Sequence, residues 1–318
     1  MKDVVSRAPV GLFGIVMGLA GLGTAWRTAH AVWGLPAAIG EAILGLAASV
    51  WLILLALYAM KWLSNRRVAL AEFRHPVQSC IVAFVPMATM LIAIAARPYA
   101  GSMALGLFVV GSAASLALAV GHAASLSKGA RDPDAVTPAL VLPTVGFCYV
   151  SAIAASAFGY VGSGQILFGA GFLAWIPIEA AIRFRLFARP EMPPLLRPTM
   201  GILLAPPSVG AVAYLSTAPG PPDGTVVYLI GYGILQVLLL ARLLPWIAQL
   251  GFSASWWAFS FGIDALATAP MLYIQHGGGG PLAALAPILF VFANLAIGAL
   301  SIGTTALLVR GRLIPKSA

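Results

Sequence analysis

Ten runs of mostly apolar residues follow one another along the chain, separated by short polar links. A helix needs about 20 such residues, at roughly 1.5 Å each, to cross the hydrocarbon of a bilayer. The runs fall at residues 10–27, 37–62, 77–96, 102–126, 138–158, 162–186, 198–217, 225–248, 253–273 and 283–308. They leave no room for a soluble domain. The expectation is one all-α transmembrane domain over residues 1–318. Composition agrees, because only 8% of residues are charged and 61% are hydrophobic. A domain wetted by water carries about a quarter charged residues. Most of this surface must face lipid.

The 18 Lys and Arg outnumber the 9 Asp and Glu, for a net charge of +9. In a soluble chain such an excess suggests nucleic acid. Here the basic residues cluster in the gaps between apolar runs, where positive charge sets orientation. With both termini cytoplasmic, 16 of the 18 fall inside, including Lys2, Arg7, Arg131 and Lys316, and only Arg27 and Arg97 fall outside. A multi-pass, N-in and C-in topology is therefore expected. Ala29, His30 and Ala31 mimic a signal-peptidase site. The run before them has the length of a full span and shares a repeated pattern, so it reads as a retained first helix.

That repeat is a residue–proline pair opening several odd-numbered spans: Ala8-Pro9, His75-Pro76, Thr137-Pro138 and Arg197-Pro198. Proline suits the first turn of a helix, where its missing N–H is not needed. Three of these spans carry further prolines inside: Pro86, Pro143, and the pair Pro206-Pro207. Interior proline removes a hydrogen bond and kinks the helix. In lipid this is tolerated where neighbours or a water-filled lumen satisfy the freed carbonyls. The even spans are longer, richer in Leu, Ile and Trp, and less interrupted. Five helical hairpins result, with odd helices as an inner ring and even helices facing lipid. Small residues such as those of GLFGIVMGLAGLG (11–23) allow close helix packing. Combined with the kinks, they point to a narrow central passage.

One stretch inside the ninth span, WWAFSFGIDAL (256–266), combines a bulky Phe261, Gly262 and an ionisable Asp264. Counting from residue 253 puts Phe261 and Asp264 roughly 12–17 Å into the bilayer, near its middle. Three residues apart, they lie on neighbouring parts of one helix face. Taken alone, a phenylalanine in a span is most simply a lipid or packing contact. The segments GLFGIVMGLAGL (11–22), HPVQSCIVAFVPMATML (75–91), LFGAGFLAWIPIE (167–179), RPTMGILLAPPSV (197–209), GYGILQVLLLARLLPWI (231–247) and WAFSFGIDALA (257–267) supply a context. In this order they resemble the TehA family of bacterial tellurite-resistance and C4-dicarboxylate transporter homologues, related to the slow anion channel of plant guard cells. The resemblance implies a homotrimer in a bacterial inner membrane. Each protomer would be a ten-helix pore with quasi-fivefold symmetry, lined by odd helices. It also implies that Phe261 occludes the pore near mid-membrane, whereas Phe259, two residues away, points to a different face. Asp264 departs from the family pattern, which has small neutral residues there.

No odd helix carries Lys or Arg near its middle. The candidate lumen offers the hydroxyls of Thr89, Thr144, Ser208, Ser260 and Thr268, aromatic rings, and backbone freed at kinks. Weak binding of this kind suits conduction, because an ion must leave as readily as it enters. The leading expectation is an anion-selective channel for small inorganic or organic anions. The alternative is a secondary transporter of a C4-dicarboxylate or an oxyanion such as tellurite, proton-coupled through Asp264. A structural or sensory protein without flux is a third reading. An ionised Asp264 in an anion pore would repel the permeant, so it should be neutral or turned to a polar partner. Glu179 and Arg242 sit at similar depth and are candidates for an interhelical ion pair; Glu179 could instead pair with Arg183 on its own helix. Glu41 and Arg27 read as an interfacial pair. His30, His75, His122 and His276 are scattered without zinc spacing, and Cys80 and Cys148 read as small buried residues. No nucleophile, P-loop or dinucleotide motif is present, so neither enzyme nor cofactor is expected.

Overall fold

A computed structural model describes residues 8–129 and 132–314. Lys2, Arg7, Arg131 and Lys316, counted above for orientation, lie outside the described residues. Ten described helices are long and apolar enough to cross a membrane. They are α1 (Val10–Trp33), α2 (Ala37–Ser64), α3 (Gln78–Ala96), α4 (Gly101–Ser127), α5 (Pro138–Ala157), α6 (Val161–Ala188), α7 (Pro194–Thr217), α8 (Gly224–Leu250), α9 (Ala254–Gln275) and α10 (Pro281–Val309). Most bounds fall within two residues of the sequence expectation, with two larger differences. Helix α1 runs on past residue 27 to Trp33, because nothing stops it before Gly34, which takes a left-handed φ of 70° and closes it. Ala29, His30 and Ala31 therefore lie inside a helix. Helix α7 starts at Pro194, four residues early, because its first turns are a tight 3-10 helix that the prolines tolerate.

Burial separates the helices into two sets. The most apolar stretches of α1, α3, α5, α7 and α9 are 67–83% buried, against 17–33% for the even-numbered helices. Each odd helix packs on the even helix that follows it, giving five hairpins. The odd helices also touch one another in the closed order α1, α3, α5, α7, α9 and back to α1. Buried Phe13, Met87, Met90, Tyr149, Leu203 and Leu266 belong to the common core these helices share. Lipid is as apolar as leucine, so this core is held by close packing rather than by exclusion of water. The outer set is also longer, at 27–29 residues against 19–24 for the inner set.

Helix winding follows the same division. Every odd helix departs from α geometry in the half nearest its N-terminus. In α1 the departure is a 3-10 turn at Val10–Leu12, and α3 is divided between Gln78–Ile81 and Phe84–Ala96. Helix α5 passes through 3-10 (Pro138–Val141) and π (Leu142–Gly146) turns before its α part. Helices α7 and α9 are 3-10 over Pro194–Leu204 and Ala254–Phe259, then α. Runs of 3-10 helix beyond about four residues are uncommon. Proline explains most of this. Pro86 lies in the first turn of the second part of α3, Pro143 within the π turn, and Pro206 and Pro207 in the first α turn of α7. The even helices stay α over nearly their whole length, although α6, α8 and α10 contain Pro177, Pro245 and Pro287.

With ten crossings, Ala8 and Arg310 emerge on one face, called here the basic face. A short surface helix (Arg66–Arg74) lies on it. Lys61, almost wholly buried, donates to the Ala8 carbonyl (2.5 Å) and to Glu72 (2.8 Å), clamping the start of α1 to that surface helix. Arg197 donates to the carbonyls of Met192 (2.9 Å) and Trp246 (3.3 Å), tying α7 to α8. Arg189, just after α6, lies 2.8 Å from Asp134 in the loop before α5 and holds its carboxyl below the usual carboxylate range. On the opposite face Arg27 forms the expected bidentate pair with Glu41 (2.7 and 2.8 Å). Arg97 lies over the Phe158 ring at 5.9 Å.

The Glu179–Arg242 pair does not form. Glu179 accepts from Arg183 (2.8 Å) on its own helix and from the Tyr232 hydroxyl (3.2 Å) of α8, while Arg242 is exposed. Equal depth on two helices brings charges together only if both also face each other, and Arg242 points outward.

Candidate permeation pathway

Two small cavities, of about 40 and 50 Å³, lie inside the ring of odd helices. Each is lined by residues from all five. The cavity nearer the basic face meets Met17, Met87, Tyr149, Ile202 and Trp257, among others. The other meets Gly21, Leu91, Ile153, Val212 and Thr268, further along the same helices. The odd helices run parallel, so the two spaces are stacked through the membrane. Two residues line both, Val209 of α7 and Phe261 of α9. Phe261 therefore stands between the cavities. Among the described residues it forms no ring–ring contact, whereas Trp256 and Phe259 stack at 5.6 Å.

Local winding puts Phe261 there. The 3-10 segment of α9 ends at Phe259, and Phe261 lies in the first turn of the α part. Gly262 lets α7 approach closely: an added Cβ would come 3.0 Å from the Ala205 nitrogen and from the Leu204 side chain. Phe259 faces away from the cavities and covers Gly201 of α7, where an added Cβ would lie 2.5 Å from its ring. The non-α turns gather around the cavity nearer the basic face, which they line with Leu142, Gly146, Ile202 and Ala258. Of the four kink prolines, only Pro206 is in its wall; Pro86, Pro143 and Pro207 are absent from both linings.

Asp264 occupies a different place from the one expected beside the pore. It is wholly buried, lines neither cavity, and packs into the gap left by Gly21 of α1. A Cβ on Gly21 would lie 2.7 Å from the Asp264 Oδ2. The same groove of α1 receives Ser260 at Gly18 and Trp257 at Gly14. Neither carboxyl oxygen has a hydrogen-bond partner among the described residues, so the expected polar partner is not found there. A buried carboxyl group without a donor is costly, so what the structure shows at Asp264 is close packing and not a charge pair.

The hydroxyls foreseen from sequence divide similarly. Thr268 lines the cavity away from the basic face and donates to the Asp264 carbonyl (2.8 Å). Thr89 accepts from Trp51 of α2 (3.1 Å), and Ser260 donates to the Trp257 carbonyl (2.8 Å); neither lines a cavity. Ser208 and Thr144 are likewise absent from both linings. Thr24 and Val209 line the cavities as well, although the sequence singles out neither. Val209 follows the Pro206-Pro207 pair by two residues, and that proximity was its one signal. No Lys, Arg, His, Asp or Glu lines either cavity.

A family model described as a voltage-dependent anion channel (SLAC1) matches residues 7–305. The chain belongs to this anion-channel family. The chain is 32% identical over 309 residues to a tellurite resistance protein TehA homolog of Haemophilus influenzae, covering 97% of this chain and 93% of that protein. It is also 25% identical over 156 residues to the guard cell S-type anion channel SLAC1 of Arabidopsis thaliana, covering 49% of this chain and 28% of the plant protein. The resemblance read from the six quoted segments is thereby borne out. The family is one of anion channels and transporters, not of enzymes.

Proposed function

We propose that the chain is an anion-selective channel whose permeation path runs through the ring of odd helices and is closed by Phe261. One observation carries this reading: two stacked cavities, each lined by all five inner helices, with Phe261 and Val209 between them. The walls are neutral, so an anion would meet hydroxyls, ring edges and backbone at the non-α turns. Weak contacts of this kind favour throughput over retention. The cyclic packing of the hairpins supports a quasi-fivefold pore. Assembly as a homotrimer in a bacterial inner membrane, with the basic face cytoplasmic, completes the proposal and rests on family likeness and the distribution of Lys and Arg. Anion-substitution currents from purified protein in planar bilayers test it. Selective chloride or nitrate current is expected, and silence under every voltage and pH would overturn it.

The second reading is a secondary transporter of a C4-dicarboxylate or an oxyanion such as tellurite, using Asp264 as its proton site. A buried intramembrane acid without a hydrogen-bond partner among the described residues is the observation that favours it. Its position against Gly21, off both cavities, favours a packing role instead. Asp264→Asn, nearly the same shape, is expected to fold and to keep at least the wild-type anion current. Uphill, proton-driven uptake that disappears in Asp264→Asn, with assembly intact, would establish the transporter.

A further inference from the structure

A second site lies apart from the two inner cavities, at the boundary of the basic face. An open cleft of about 450 Å³ separates the surface helix (Arg66–Arg74) and the start of α3 from the outer side of α4. Its two ends differ in chemistry. Near the surface it is lined by Arg74, Ser79, His122 and Ser125. Deeper, its wall is Ala117 and Leu118 of α4. Ser125 lies in the last turn of α4, and Ala117 is two turns further in, about 12 Å towards the bilayer centre. The cleft thus carries its cationic and hydroxylic groups at the basic face, beside Phe73 and Leu126, and is purely apolar at its deep end.

The surface helix holds the cationic end in place. Lys61 bonds Glu72, and Trp62 meets Phe73 edge-on at 5.7 Å, so Arg74 sits on a segment clamped to α2. Arg66, Arg67 and Arg74 are all exposed, and Arg74 forms no ion pair among the described residues. An amphipathic segment of this kind lies in the headgroup layer, where basic side chains attract anionic lipid. His122 is fixed at the cleft by Cys80, 3.7 Å away.

We propose that this cleft binds one anionic phospholipid, its phosphate at Arg74 and the neighbouring hydroxyls, and one acyl chain along Ala117 and Leu118. A free phosphate would use only the upper end and leave the apolar slot unexplained. A neighbouring copy of the chain would have to bring an acidic group to Arg74. The slot can be filled without disturbing the fold. Gly121 faces it, and an added Cβ would meet no atom within 4 Å.

Native mass spectrometry of the detergent-purified protein, titrated with dioleoyl-phosphatidylglycerol, tests the site. Dioleoyl-phosphatidylcholine is the comparison lipid, and inorganic phosphate the competitor. Arg74→Gln is expected to weaken phosphatidylglycerol retention about fivefold, the effect of one basic residue at an anionic surface. Arg74→Lys should restore most of it. Gly121→Leu should abolish the tightest adduct while leaving thermal stability and oligomeric state unchanged. Unaltered phosphatidylglycerol retention in Gly121→Leu would overturn the proposal. So would displacement of the lipid by millimolar phosphate, which would mark a free-anion site. A changed oligomeric state in Gly121→Leu would overturn it in favour of an interface between copies.

Discussion

Phe261→Ala is expected to raise single-channel anion current on the order of tenfold or more, equivalent to lowering a barrier by about 1.4 kcal/mol. The cavities on either side, of about 40 and 50 Å³, share only Phe261 and Val209 in their walls. Removing the ring would join them into one continuous space, where a small anion could keep part of its water. Val209→Ala should give a smaller increase in the same direction. Phe259→Ala is the control, because its ring covers Gly201 and lies outside both cavities. It should lower thermal stability without raising current. If Phe261→Ala and Phe259→Ala conduct alike, Phe261 is not the plug.

The second large effect is expected at the contact between α1 and α9. Gly21→Leu should prevent recovery of folded, monodisperse protein. Overpacking in a tight interior costs about 1–3 kcal/mol where side chains can yield. Here the obstruction includes the Asp264 Cβ, 2.9 Å from the position of an added Cβ, so α9 itself would have to move. Gly18→Leu meets Ser260 and Trp257 in the same way. Gly45→Leu and Gly106→Leu, where an added Cβ meets nothing within 4 Å, should be tolerated. Coupling can be read from the thermal midpoint of Gly21→Ala with and without Asp264→Gly. The double variant should recover much of the loss, and strict additivity would show that Asp264 is not what Gly21 accommodates.

Position along each helix was legible in the sequence, and direction around each helix axis was not. Twenty-residue apolar runs set the number of candidate spans, and their bounds came within a few residues of the helices. Prolines at the start or inside marked α1, α3, α5 and α7 of the buried set, but α9 is 3-10 over Ala254–Phe259 without one, and α6, α8 and α10 stay α despite Pro177, Pro245 and Pro287. Facing was harder, because a side that meets lipid and a side that meets another helix are both apolar. Arg242 and Glu179 match in depth, yet Arg242 is exposed and Glu179 turns to Arg183. Phe261 and Asp264 differ by about 60° around α9. That angle moves Asp264 from the cavities to the groove of α1. The long 3-10 segment at Pro194–Leu204 also escaped notice, since tight and ordinary winding tolerate the same residues.

The difference in helix length has an electrostatic consequence. The inner helices span 19–24 residues and the outer wall 27–29. Where an inner helix is also shorter end to end, as α3 is at 19 residues, the wall around it would leave a recessed mouth that bulk water could enter. The self-energy of an ion in a thin low-dielectric slab is smaller than in a full bilayer, because more of its field ends in water. In the proposed permeation path, such recesses would lower the dielectric barrier before any side chain touched the ion, so that a neutral lining could suffice.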